Sequence, residues 1–97
     1  MIRMSVLYPA TDGATFDHDY YKDNHVPLAV QAWGLDSAEI DKGTDEGQPY
    51  IAAVHFQFES VDAMAQAMAS EKTGAVMADV ANYTTIQPVI QVSEIVS

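Results

Sequence analysis

Apolar and polar residues alternate along parts of the chain, and an alternation with a period of two predicts β-strands. The clearest case is Tyr50–Phe58, where every second residue is apolar and the residues between them, His55 included, face the other side of the sheet. Ile2–Tyr8 alternates in the same way. A weaker pattern predicts a strand at Leu35–Asp41, and the last strand is predicted at Thr84–Val92.

The stretch between the first two strands predicts a helix with an interruption. Asp17 suits the N-cap, because its carboxylate accepts hydrogen bonds from the first free amides of a helix. Pro27 lacks an amide hydrogen and disfavours the α conformation at the residue before it, so a break or kink is predicted over Asn24–Val26. Helical residues resume at Leu28–Trp33, and Gly34 ends them.

A second helix is predicted after the strand Tyr50–Phe58. Ser60 suits its N-cap. The apolar residues of the following turns lie on one stripe: Val61, Met64, Ala65 and Met68. Glu71–Gly74 is predicted to interrupt this helix, and Ala75–Val80 to form a further helical turn.

The predicted order of elements is βαββαβ, in a single domain over residues 1–97. This order is typical of the split-βαβ, ferredoxin-like fold. It is an α+β architecture in which a four-stranded antiparallel sheet carries two helices on one face. The other face of the sheet is bare unless something covers it.

Both faces of the predicted sheet carry apolar residues. One set is Leu7, Ile51, Ala53 and Val89, and the opposite set is Val6, Val54, Phe56 and Ile90. A monomer would leave one set in water, which is an unusually large exposed apolar patch. A two-fold homodimer that packs sheet against sheet, as a dimeric α/β barrel, is therefore predicted.

Composition narrows the classes of partner. The 14 acidic and 4 basic residues give a net charge of −10, which disfavours nucleic acid and anionic membrane surfaces. No apolar run approaches the ~18 residues that a membrane span needs. The chain has no cysteine, which excludes disulfides, zinc–thiolate sites and thiol nucleophiles. No secretory signal is recognised, so a cytoplasmic location is the default expectation.

Four segments carry a recognisable pattern in the order of the chain: SVLYP, FDHDYYKDNHVPLA, HFQFESVDAM and ADVANYTTIQPVIQVSEIV. Together they resemble the EthD family, small proteins named after a gene cluster for ethyl tert-butyl ether degradation. The resemblance implies ferredoxin-like protomers that form a dimeric α/β barrel. Members are often labelled reductases, but the chain shows no flavin or nicotinamide fingerprint, so no cofactor is expected. Related dimeric barrels include cofactor-free monooxygenases, muconolactone isomerases and haem enzymes.

His25 is the leading candidate for chemistry. An imidazole titrates near neutral pH and can take and give a proton, as isomerisation and dehydration require. Tyr21 lies one helical turn earlier, beside His25 if the helix persists that far, and is predicted to assist it. The alternative is a structural histidine that bonds free carbonyls at the kink. The resemblance favours chemistry, because His25 matches the histidine of the family's first helix.

Four further residues are candidates for substrate binding. His55 lies mid-strand, where it would line the same pocket or be half-buried at the dimer interface. Tyr20 is one of several aromatic residues that would wall an apolar ligand or pack in the core. The resemblance counts Asp79 and Tyr83 among the family's recurrent residues and so implies that they border the pocket; the alternative is a role in the turn alone.

No metal site or serine nucleophile is predicted. His18 and His25 are seven residues apart, about 10 Å along a helix, which is too far for one metal ion. The serines are few and none lies in a nucleophile-type turn, so no Ser-His-Asp arrangement is predicted.

The leading hypothesis is a cofactor-independent homodimer that binds a small apolar or cyclic organic molecule. Its chemistry would be proton transfer by His25, as in isomerisation, cyclisation or dehydration. One alternative is a cofactor-free, monooxygenase-type oxidation. A second is a non-enzymatic binding or auxiliary protein of a catabolic gene cluster.

Overall fold

The computed structural model describes residues 1–97, which form four strands and several helical elements. In chain order these are β1 (Ile2–Pro9), α1 (His18–Tyr20), a π-helical turn (Tyr21–His25), α2 (Val26–Ala32), β2 (Glu39–Lys42), β3 (Tyr50–Phe58), α3 (Val61–Ala69), α4 (Glu71–Asp79), a 3₁₀ turn (Val80–Asn82) and β4 (Val89–Glu94). Residues 18–32 are helical without a break, and we call them the first helical segment. None of the helices has the length and apolar character needed to cross a membrane.

The four strands form one antiparallel sheet in the order β2-β3-β1-β4. In the middle of the sheet, Val6 of β1 pairs with Val54 of β3 on one side and with Ile90 of β4 on the other. The first helical segment and the α3–α4 pair take the positions of the two predicted helices. The predicted α+β, ferredoxin-like fold is therefore confirmed.

The core lies between one face of the sheet and the helices. Its buried residues from the sheet are Met4, Tyr8, Ala52, Val54, Phe56 and Phe58, and the others are Tyr21, Val26, Ala29, Val76, Tyr83 and Ile86. The predicted inward face of β3 is confirmed from Ala52 to Phe58. Tyr50, at the start of the strand, is 39% exposed instead.

The opposite face of the sheet is also partly apolar, as predicted. Leu7 lies between Ala53 and Val89 there, because it pairs with both in register. The edge strand β4 exposes apolar side chains on both faces, since Val89 is 47% exposed and Ile90, on the other face, is 56% exposed. The apolar part of the opposite face around Leu7, together with the exposed side chains of β4, is called the β4 side of the sheet.

The first helix was predicted to break or kink over Asn24–Val26; the break is wrong, and the helix instead has an irregular, π-helical turn over Tyr21–His25. Val26 keeps α-helical angles (φ −65°, ψ −43°), and its amide donates to the Tyr21 carbonyl, five residues back. Pro27 is the second residue of α2, so its ring and its missing amide hydrogen fall on the carbonyls of the π-helical turn just before it. A wider π-helical turn thus accommodates the proline, and the helix continues through it.

The second predicted interruption is also misplaced. Ser70, and not Glu71–Gly74, separates α3 from α4: it has extended angles (φ −64°, ψ 145°), and its hydroxyl accepts from the Lys72 amide. Glu71–Gly74 is helical because this cap starts a new helix at Glu71. The cap predicted at Ser60 is confirmed, since its hydroxyl accepts from the Ala63 amide at 3.1 Å.

Two strands are displaced from their predicted bounds. β2 spans Glu39–Lys42, so it overlaps the predicted Leu35–Asp41 only at Glu39–Asp41 and ends one residue later. β4 begins at Val89, after Pro88, because Thr84 is engaged elsewhere: its hydroxyl donates to the Thr15 carbonyl at 2.7 Å.

Candidate active site

Asp79, the last residue of α4, is the centre of a hydrogen-bond network. Its Oδ1 accepts from the Tyr20 hydroxyl at 2.7 Å and from the side-chain amide of Asn82 at 2.9 Å. Its Oδ2 is 2.9 Å from His25 Nδ1. The 3₁₀ turn after α4 brings Asn82 beside the carboxylate, whereas Tyr20 and His25 come from the first helical segment. One carboxylate therefore joins two elements that are distant in the sequence.

Local backbone contacts hold these two elements together. The Asp17 carboxylate accepts from the Tyr20 amide at 3.0 Å, which confirms the predicted N-cap. The Asp17 amide itself donates to the Tyr83 carbonyl at 2.8 Å, and Phe16 forms a β-bridge with Thr84. The start of the first helical segment is thereby fixed to the chain that follows α4.

His25 lies at the end of the π-helical turn, and its side chain is only 7% exposed. Its ring stacks on that of Tyr21, with centroids 5.6 Å apart, and lies 4.4 Å from the ring of Tyr83. Because the carboxylate of Asp79 can only accept, Nδ1 carries the hydrogen of the neutral imidazole. Nε2 is then an acceptor, and it has no hydrogen-bond partner in the protein.

Burial and hydrogen bonding keep the His25–Asp79 pair in the form that suits a base. Burial lowers the pKa of His25, although the hydrogen bond and charge of Asp79 oppose this effect. Burial alone would raise the pKa of Asp79, but hydrogen bonds from Tyr20, Asn82 and His25 hold it below its ordinary value. At neutral pH the pair is therefore a neutral imidazole beside a carboxylate.

Three buried tyrosines form a cluster, and two of them, Tyr21 and Tyr83, lie next to His25. The hydroxyls of Tyr8 and Tyr83 are 2.6 Å apart, and the Tyr21 hydroxyl is buried with no hydrogen-bond partner. The Tyr21 ring is 5.4 Å from that of Tyr8 and 4.9 Å from that of Tyr83. Burial is the main cause that raises the pKa of all three, so their hydroxyls remain protonated donors. We call these residues the tyrosine cluster.

A cavity of about 390 Å³ opens between the first helical segment and β2. Its lining residues are His18, Asp19, Tyr21, Lys22, Ala38, Ile40, Asp41 and Lys42. Tyr21 belongs to both the cavity and the tyrosine cluster. Ala38 and Ile40 supply apolar wall, and two of the chain's four basic residues, Lys22 and Lys42, lie at its rim.

The structure does not bring His55 to this cluster. His55 alternates with Val54 and Phe56 and so lies on the opposite face of the sheet. There its Nδ1 is 2.7 Å from the Ser5 hydroxyl, and its Nε2 is 2.9 Å from Asp41 Oδ2. No Ser-His-Asp arrangement was predicted from the sequence, and the hydrogen-bonded series Ser5–His55–Asp41 corrects this. The three residues meet only because β1, β2 and β3 align side by side.

Of the six candidate residues, the structure brings together five: His25, Tyr21, Tyr20, Asp79 and Tyr83. Sequence reasoning missed two further members, Tyr8 and Asn82. Tyr8 could have been predicted, because the alternation of β1 places it on the same inward face as Met4, near the end of the strand. Asn82 follows Asp79 by three residues, a spacing that one helical turn brings together. No group of three or more His, Asp or Glu side chains is placed to hold a metal ion.

Comparison with known proteins identifies the family. The model of the EthD domain matches residues 9–87 of the chain. The chain belongs to the EthD family. Within the family, it is 36% identical to an EthD-like protein from Ralstonia eutropha JMP134, over 99% of this chain and 92% of that one, with a TM-score of 0.86. The EthD resemblance predicted from the sequence is thus confirmed.

Two more distant structures share the fold of this EthD protein. One is an ethyl tert-butyl ether degradation (EthD) family protein from Bacillus halodurans C-125, 16% identical over 99% of both chains, with a TM-score of 0.78. The other, from Thermobifida fusca YX, is a dimeric ferredoxin-like protein of unknown function, 18% identical over 97% of this chain and 90% of that one, with a TM-score of 0.63. No curated protein matches the EthD chain described here.

Proposed function

We propose that this EthD protein is a cofactor-independent enzyme that binds a small, largely apolar or cyclic organic molecule and moves a proton on it. The observation that carries the proposal is the 2.9 Å hydrogen bond between His25 Nδ1 and Asp79 Oδ2. A buried imidazole held by a carboxylate on one nitrogen, with the other nitrogen unbonded, is suited to general acid–base catalysis. Isomerisation, cyclisation and dehydration all need such a group.

Each residue of the network has a role in this chemistry. His25 takes a proton from a carbon of the substrate at Nε2 and becomes an imidazolium. The carboxylate of Asp79 stabilises the new charge and keeps the ring in the required tautomer. Tyr20 and Asn82 donate to the other oxygen of Asp79 and so fix its orientation. The Tyr21 ring, stacked on the imidazole, limits its rotation.

The cavity between the first helical segment and β2 is the proposed entry to the site: Tyr21 lines it and stacks on His25, which lies one ring further in. Its volume of about 390 Å³ falls within the usual range for small-molecule sites. The wall supplied by Ala38, Ile40 and Tyr21 suits a ring or a short hydrocarbon. A cofactor with several phosphates does not suit an acidic chain of net charge −10.

The proposal is tested by hydrogen exchange on simple carbonyl compounds. Cyclopentanone, cyclohexanone and the corresponding lactones are incubated with the protein in D₂O, and loss of the α-proton signals is followed by NMR. We expect exchange above the buffer rate, and a loss of about 100-fold or more in His25→Asn. Because burial lowers the pKa of His25 from its ordinary 6.5, the rate should fall to half of its plateau value only below pH 6.5.

Gln31→Asn is the control, since Gln31 lies exposed on α2 in the same helical segment and lines neither the cavity nor the network. It should exchange at the wild-type rate. Equal rates in wild type and His25→Asn would contradict the catalytic role of His25. Ligand binding with no exchange would favour an auxiliary binding protein, and oxygen uptake during turnover would favour the monooxygenase alternative.

We also propose that two copies of the chain pack sheet to sheet. Val89, Ile90 and Val92 of β4 are 47%, 56% and 45% exposed, which is unusual for three neighbouring aliphatic side chains. A second copy that packs on the bare face and reaches around the β4 edge would cover Val89 on that face and Ile90 and Val92 on the helix side. The dimeric state of the related ferredoxin-like protein from Thermobifida fusca supports this proposal.

The dimer is tested by its mass in solution. Size-exclusion chromatography with light scattering should give twice 10.6 kDa, about 21 kDa, at micromolar concentration. Val92→Lys should shift the protein toward the monomer, because it places a charge in the covered patch. A wild-type mass of 10.6 kDa under these conditions would contradict the dimer.

A further inference from the structure

The tyrosine cluster contains more hydrogen-bond donors than the protein uses. Tyr8 and Tyr83 share one hydrogen bond, in which one hydroxyl donates to the other. The Tyr21 hydroxyl is buried and makes none. Of the three hydroxyl hydrogens, only the one shared by Tyr8 and Tyr83 makes a bond of normal length. The Tyr21 hydroxyl approaches Tyr8 closely enough to offset part of the rise that burial causes in the pKa of Tyr8, but it makes no such bond.

Unused donors in a buried place are rare, because each one loses its hydrogen bonds with water and gains nothing in return. Tyr21 is 1% exposed and Tyr8 is 2% exposed, so water at the surface does not satisfy them. An acceptor oxygen that enters from the neighbouring cavity would satisfy them, and Tyr21 lines that cavity. Each hydroxyl oxygen can also accept, but a phenol is a better donor than acceptor, so an acceptor oxygen is the partner that suits the cluster best.

We propose that the hydroxyls of Tyr21 and of the Tyr8–Tyr83 pair bind a carbonyl oxygen of the substrate and stabilise it as an enolate. This inference rests on the proposed function and names the substrate class: a ketone, aldehyde or lactone with a hydrogen on the adjacent carbon. His25 Nε2 takes that hydrogen as a proton. The C–H electron pair becomes the new C=C bond, and the carbonyl π pair moves to the oxygen that the tyrosines hold.

The geometry brings base and donors into one place. The His25 ring stacks on Tyr21 and lies 4.4 Å from the ring of Tyr83, so the base and two of the tyrosines are immediate neighbours. Neutral donors in a site with little water are the usual means of stabilising a developing oxyanion. On a saturated carbonyl compound the imidazolium returns its proton to the same carbon, which is exchange. On a β,γ-unsaturated one the enolate is a dienolate, and return of the proton to the γ-carbon moves the double bond into conjugation and restores the carbonyl.

A stable enolate analogue tests the inference without turnover. The probe is 4-nitrophenolate, whose ring oxygen is an anionic acceptor, and its absorbance change is measured at a pH where it is ionised. Nitrobenzene, which lacks this oxygen, is the comparison ligand. We expect wild type to bind 4-nitrophenolate, and Tyr21→Phe to bind it about 10-fold or more weakly, with binding of nitrobenzene unchanged. Tyr50→Phe removes an exposed hydroxyl elsewhere and should bind as wild type does.

The melting temperature of the free variant adds a second readout. Removing an unpartnered buried hydroxyl removes an unsatisfied group, so Tyr21→Phe should melt at the wild-type temperature or above it. A lower melting temperature with unchanged probe binding would show that the hydroxyl is already satisfied, for example by a buried water, and would overturn the inference. So would wild-type protein that does not bind the probe at millimolar concentration.

Two further variants keep the test decisive. Tyr83→Phe removes a donor from the pair and should also weaken 4-nitrophenolate binding, which covers the case in which Tyr21→Phe does not fold. His25→Asn should still bind the probe, because the donors remain. Tyrosine-dependent binding without proton exchange would sustain the donor site and refute the catalytic proposal, whereas exchange that is unaffected by Tyr21→Phe would do the reverse.

Discussion

Asp79→Asn is expected to abolish proton abstraction by His25 while the fold survives. Oδ1 of Asp79 accepts two hydrogen bonds, from Tyr20 and Asn82, and an asparagine must keep its own oxygen there to accept them. Its NH₂ group then faces Nδ1 of His25 and donates to it. The imidazole is forced into the other tautomer, with the hydrogen on Nε2, and Nε2 can no longer take a proton.

The α-proton exchange rate should therefore fall by about 100-fold or more, as when a positioned base is lost. The melting temperature should change little, because every hydrogen bond of the network is kept. Donor and acceptor change places only in the bond to His25. Asp12→Asn, in the exposed loop after β1, makes the same chemical change away from the site and should leave both quantities unchanged. An Asp79→Asn protein that exchanges protons at the wild-type rate would contradict the assigned role of Asp79.

Val54→Asp is expected to unfold the protein. Val54 is 2% exposed in the middle of β3, where it pairs with Val6 and Ile40. The substitution loses about 1.5–3 kcal/mol of apolar burial and adds several kcal/mol for a carboxyl group buried without a partner. Together these approach the 5–15 kcal/mol by which a domain of this size is ordinarily stable.

The measurement is circular dichroism, with thermal or urea unfolding of any soluble fraction. Val61→Asp is the matched control, because Val61 is 55% exposed at the first position of α3 and a negative charge is favourable at a helix N-terminus. It should unfold like wild type or slightly later. A soluble Val54→Asp protein with a normal melting curve would mean that β3 presents its other face to the core.

Those parts of the fold that depend on neighbouring residues were predictable from the sequence. The alternation of β3 gave its bounds, and Asp17 and Ser60 were identified as caps because a cap acts within three residues. The effect of Pro27 was misjudged. The rule for the residue before proline describes a local preference, and the packing of Val26 and Ala29 into the core outweighs it.

The site was only half predictable for a similar reason. His25 and Tyr21 are four residues apart, so helical geometry alone makes them neighbours. The hydrogen bond between His25 and Asp79 spans 54 positions in the chain, and only the EthD resemblance pointed to Asp79. The alternation of β3 placed His55 on the face opposite to that of Val54, but the sequence left open whether His55 lines the pocket or the dimer interface, and its partners Ser5 and Asp41 depend on the register of three strands.

The π-helical turn over Tyr21–His25 has a consequence for tracing the ancestry of the site. Hydrogen bonds that reach back five residues instead of four accommodate one more residue than an α-helix of the same length. A relative with an ordinary α-helix here would need a one-residue gap inside a helix, where sequence alignments normally avoid gaps. An ungapped alignment would then match His25 to the residue next to its true counterpart. Superposed backbones, rather than aligned letters, are the sound way to ask which relatives inherited this histidine.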